Sequence, residues 1–252
     1  MTTATLNMGG NIEAQNDGLK GSLRGMAKVT GALYLILFVV GMFSPLVLET
    51  LVVEGSAIET AESFLGSMWI FGFSLVTWFV IVAVDVAVSI TLYLLFENAG
   101  RAVSLITAGF RLVYSAVLAA FLLDLYDAYT VLNTSEALVG GDLTQAYTVF
   151  AAGIADFQAG FQLALMFFGA HLVMLGVSIL RSGNLPRVLG IILGISGAGY
   201  VIDSMIIFIT SNHNDTLSIA LLMPAVIGEL GLTLWLLLKG VRENAGSEVA
   251  AA

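Results

Sequence analysis

Six long apolar runs, separated by short polar breaks, set the pattern of the chain. They cover residues 28–50, 69–96, 101–125, 158–181, 187–210 and 217–239. Crossing a bilayer core of about 30 Å takes roughly 20 apolar residues in a helix, and each run meets that length. None has the polar face that a long helix on a soluble protein would carry. The pattern therefore predicts an all-α integral membrane protein with six transmembrane helices spread over residues 26–240. Pro45 and Pro224 fall inside the first and last runs and predict kinks there. Between runs three and four, residues 126–157 form the longest break. After Gly140 and Gly141, Tyr147, Phe150, Ile154 and Phe157 recur at helical spacing, which predicts a surface-lying helix or cap.

Composition narrows the chemistry. Of 252 residues, 58% are hydrophobic and 11% charged, with a mean hydropathy of +0.97; soluble domains carry about 25% charged residues. A net charge of −9 without a basic, aromatic-interleaved patch gives no basis for nucleic acid as a partner. The chain has no cysteine, hence no disulfide, thiol nucleophile or thiolate metal site. Its two histidines, His171 and His213, sit on different segments, and no cofactor or metal is expected. Residues 1–25 are polar and Gly-rich and read as a disordered cytoplasmic tail, and residues 241–252 are expected to form a cytoplasmic tail. A signal peptide competes for the start, but the first apolar stretch is longer than a signal's apolar region.

The cations set the expected orientation. Lys20, Arg24 and Lys28 precede the first span, Arg101 lies in the turn FENAGR, Arg181 and Arg187 flank RSGNLPR, and Lys239 and Arg242 follow the last span. The other loops carry only acidic charge, among them Glu54, Glu59, Glu62 and Asp127. Cations stay on the cytoplasmic side, so both termini are expected there and the plasma membrane is the expected location.

Arg111, the remaining cation, lies inside a span, ITAGFRLVYSAVLAAF. Five of the six spans carry one ionisable residue at depth: Asp85, Arg111, His171, Asp203 and Glu229. Counted from the cation-rich helix ends at 1.5 Å per residue, Asp85, Arg111, His171 and Glu229 lie roughly 15–18 Å deep, while Asp203 lies at roughly 24 Å. Four groups in one layer are cheapest when they face one another. Arg111 is then expected to pair with Asp85, Glu229 or both, with His171 sharing hydrogen bonds. Ionised, Asp85, Arg111 and Glu229 sum to −1, and a carboxyl proton or a protonated His171 is expected to restore neutrality. Such a layer titrates as a coupled set. Asp203 has Tyr200 and Ser204 as local candidates to satisfy it. Buried ion pairs also simply fix helix packing, without any ligand.

Glycines 190, 194, 197 and 199 in VLGIILGISGAGY predict a close helix crossing. An N-x-x-R pattern occurs at Asn98–Arg101 and again at Asn184–Arg187, and the same offset sets His171 against Asp85. The stretches GALYLILFVVGMFS, TAGFRLVYSAV, FFGAHLVMLGVSILRSGNLPRVLGIILGISGAGYVIDS and PAVIGELGLTLWLLLKG resemble the prokaryotic membrane family labelled domain of unknown function 4386. The resemblance implies a six-helix membrane fold, with recurrent polar positions at Arg111, His171, Arg181, Arg187, Asp203 and Glu229, and brings no reaction with it.

Three functions fit these readings. The first is binding or transport of a small solute or protons at the buried layer. The second is an intramembrane enzyme acting on a lipid-type substrate, with His171 and Glu229 as acid and base, although HExxH, GxSxG and three-ligand metal patterns are missing. The third is a structural or sensory subunit locked by its charges.

Overall fold

In the computed structural model, backbone is described for residues 2–134, 143–210 and 215–241, and side chains for residues 21–134, 143–210 and 216–241. His213 and most of the expected C-terminal tail lie outside the described residues. Helix α1 spans Thr2–Leu51, α2 Ala57–Leu65, α3 Met68–Leu95, α4 Arg101–Asn133, α5 Leu143–Ser182, α6 Arg187–Thr210 and α7 Asp215–Leu238. No strand occurs among the described residues. Six of these helices are long and apolar enough to cross a membrane, starting in α1 at Gly21. The start of α1 differs from the expected disordered tail: its backbone is helical from Thr2. Ala, Leu, Met, Glu and Gln in this segment are good helix formers, and adding turns to an existing helix avoids the cost of nucleation.

The spanning helices form a closed ring in chain order. α1 packs on α3, α3 on α4, α4 on α5, α5 on α6 and α6 on α7, and α7 returns to α1. Alternating direction gathers Lys28, Arg101, Arg181, Arg187 and Lys239 at one end. There Gly100 (φ 109°) and Gly183 (φ 66°) reverse the chain after α3 and α5, in backbone conformations open to glycine. The two N-x-x-R turns meet. Asn98 Nδ2 donates to Asn184 Oδ1 at 2.9 Å, and Asn184 Nδ2 donates back to Asn98 Oδ1 at 3.1 Å and to the Leu95 carbonyl at 2.9 Å.

The opposite end departs from expectation. Residues 143–157 do not form a separate surface helix; they are the first turns of α5, whose 40 residues make a rod of about 60 Å. Phe150, Ile154 and Phe157 are buried there. α2 rests against this extension, with Phe64 centred 5.1 Å from Phe150 and 4.7 Å from Phe71. Spacing of apolar residues at helical period describes a helix on a membrane surface and one continuing a bundle equally well, and the available partner, α2, decided between them.

The predicted glycine crossing joins α5 to α6. A Cβ on Gly169 would lie 2.7 Å from the Gly197 carbonyl oxygen, and one on Gly190 would lie 2.9 Å from that of Gly176. These backbones touch directly, as small residues permit.

Candidate functional site

Arg111 projects from the middle of α4 into the ring and is 2% exposed. Its Nη2 forms an ion pair with Asp85 Oδ1 from α3. Nη1 donates to the Tyr34 hydroxyl of α1 at 3.0 Å and lies 3.1 Å from His171 Nε2 of α5. The guanidinium carbon stands 4.9 Å from the Tyr34 ring centroid and 5.5 Å from that of Phe168, so aromatic faces add cation–π attraction. Four helices thus converge on one guanidinium, and none of the contacting groups is free to water.

The hydrogen bonds fix the state of His171. Its Nδ1 sits 2.8 Å from the Thr107 carbonyl oxygen, which only accepts. Its Nε2 faces an arginine N–H, which only donates. The network therefore assigns a neutral imidazole with its proton on Nδ1. The protonated-histidine route to neutrality, one of the two expected, has no acceptor for its second proton here. Thr107 lies one turn before Arg111, so α4 supplies both the cation and the carbonyl that orients the imidazole.

Glu229 lies on α7 at the same level, half-buried. It shares with Asp85 and Arg111 a cavity of about 250 Å³. Among the described residues its carboxylate has no hydrogen-bond partner, and on the cavity wall Arg111 Nε and Trp78 Nε1 are fully buried without one. With Asp85 and Arg111 paired, His171 neutral and Glu229 ionised, the site carries −1.

Asp203 is elsewhere. It accepts from Ser218 Oγ of α7 at 2.5 Å, while Ser204, a candidate partner by sequence, donates to the Gln162 carbonyl at 3.3 Å. It does not line the cavity. The structure thus brings together Asp85, Arg111 and His171, sets Glu229 on the same cavity, and leaves Asp203 in a separate α6–α7 link. Tyr34, Phe168 and Trp78 belong to the site and were not singled out for it by sequence. A lone tyrosine deep in the first span was the available signal, because a buried phenol needs a partner. No group of three His, Cys, Asp or Glu able to hold a metal ion occurs among the described residues.

Residues 29–240 match the family described as domain of unknown function DUF4386. The chain belongs to this family. An uncharacterized protein from Archaeoglobus fulgidus is 28% identical over 168 residues, covering 67% of this chain and 84% of its own. No solved structure matches the chain. The family and the six apolar helices fit a multi-pass membrane protein, and the layer around Arg111 falls within the matched region.

Proposed function

We propose that this DUF4386 member binds a small solute or a proton at the cavity beside Arg111 and passes it across the plasma membrane, with both termini cytoplasmic. Glu229 is the exchangeable group, and Arg111, fixed by Asp85, Tyr34 and His171, is the permanent countercharge. One observation carries this reading: Glu229 has no partner among the described residues, yet it lines the same cavity as the Arg111–Asp85 ion pair. A group retained only for packing would be expected to be satisfied, and ionisable groups at membrane depth mark pathways by default.

The enzyme reading fares worse. His171 spends both ring nitrogens on protein groups and does not line the cavity, so it has no route to a substrate held against Glu229.

Proton flux into liposomes containing the purified protein, followed by a trapped pH-sensitive dye, tests the proposal. Flux above that of empty liposomes is expected, lost in Glu229→Gln and kept in Asp203→Asn. Wild-type flux equal to the empty control across the solutes tried would contradict it.

A further inference from the structure

We infer that the occupant of the cavity is a monovalent lipophilic ammonium ion, and that it enters sideways from the membrane between α1 and α7. The inference rests on the reading of Glu229 as an exchangeable site and adds the class of its ligand.

Charge decides the sign. With Arg111 ion-paired to Asp85 and Glu229 carrying its proton the site is neutral; an anion would take it to −1, whereas one monovalent cation displaces the Glu229 proton and leaves it neutral. The lining decides what kind of cation. Hard metal ions collect several oxygen ligands, and here Glu229 offers the one unpaired carboxylate amid Phe38, Trp78, Tyr114, Phe161 and Tyr200. Aromatic walls with one anionic group suit an alkylated ammonium, which is weakly hydrated and attracted to ring faces.

Helix geometry gives the route. Near the cation-rich end α1 and α7 touch: a Cβ on Gly31 would lie 2.9 Å from the Leu237 backbone nitrogen. Three turns further along, a Cβ on Gly41 would have no neighbour within 4 Å. Gly41, Met42 and Val226 all line the cavity, and Met42 and Val226 are 63% and 49% exposed. The cavity therefore opens between these helices on a face turned to lipid. Its volume of about 250 Å³ is below the usual range for drug-sized ligands. It accommodates a head group and the first carbons of a chain whose tail remains among the acyl chains.

The test uses the full-length protein in lipid nanodiscs, titrated calorimetrically with octyltrimethylammonium and, separately, with octanoate, in weakly buffered medium carrying a pH dye. Expected are saturable ammonium binding with release of protons, affinity at least tenfold weaker in Glu229→Gln, and no saturable octanoate binding. Gly41→Trp, placed where an added Cβ meets no neighbour within 4 Å, is expected to keep the wild-type melting temperature and slow ammonium association at least fivefold. Saturable octanoate binding, or ammonium binding equal in wild type and Glu229→Gln, would overturn the ligand class. An unchanged association rate in Gly41→Trp would overturn the lateral route. Glu229-dependent binding without proton release supports the ligand class and removes the proton from the functional reading. Proton flux without any ammonium binding does the reverse.

Discussion

Arg111 donates to three helices at once, and its removal leaves Asp85 charged and buried. Breaking a buried pair by deleting one partner costs about 3–5 kcal/mol. Arg111→Met is therefore expected to lower the unfolding free energy in mixed micelles by about 3 kcal/mol, whereas Arg111→Met combined with Asp85→Leu should lose less than the single change. A double variant as unstable as the sum of its parts would show that the two residues do not act as a pair. Tyr34→Phe removes one hydrogen bond to the same guanidinium and is expected to cost about 1 kcal/mol. Counting residues from the charged helix ends located Asp85, Arg111, His171 and Glu229 at one level, because rise per residue is fixed in a helix. Rotation about the helix axis is not fixed by such counting. That is why the partner of Asp203, Ser218 on the next helix, was not legible, and why Tyr34 was missed.

At the scale of elements, glycines report which faces touch. Gly197→Val is expected to separate α6 from α5, where backbones meet at Gly169, and to lower thermal stability by more than Gly194→Val, whose new Cβ would have no neighbour within 4 Å. Melting curves of both variants in the same detergent check this, and equal losses would contradict the crossing. The sequence motif predicted a crossing but could not say which of its four glycines face the partner. Span boundaries at the cation-rich end were legible almost to the residue: the start of α4 at Arg101 and of α6 at Arg187 coincide with the expected ones. At the acidic end α4 and α5 overrun the membrane-length estimate, because hydropathy marks where a helix stops being apolar, not where it stops being a helix.

For the molecule as a whole, the ring places Glu54, Glu59, Glu62 and Asp127 at one end and the flanking cations at the other, and the proposed orientation, by the charge rule, sets the cation-rich end in the cytoplasm. The chain lacks cysteine, so single introduced cysteines report cleanly. In intact cells Asp127→Cys is expected to react with a membrane-impermeant maleimide and Glu97→Cys only after lysis; the opposite pattern would invert the orientation. The ring also encloses the unpartnered Glu229 carboxylate beside the Arg111–Asp85 pair, and under the proposed function that carboxylate exchanges a proton. Infrared difference spectroscopy of the reconstituted protein during a pH step measures that carboxylate directly. The account predicts a protonated-carboxyl band that grows as pH falls, is missing in Glu229→Gln and persists in Asp203→Asn. A spectrum identical in wild type and Glu229→Gln would mean that Glu229 exchanges no proton, and would contradict the account at its centre.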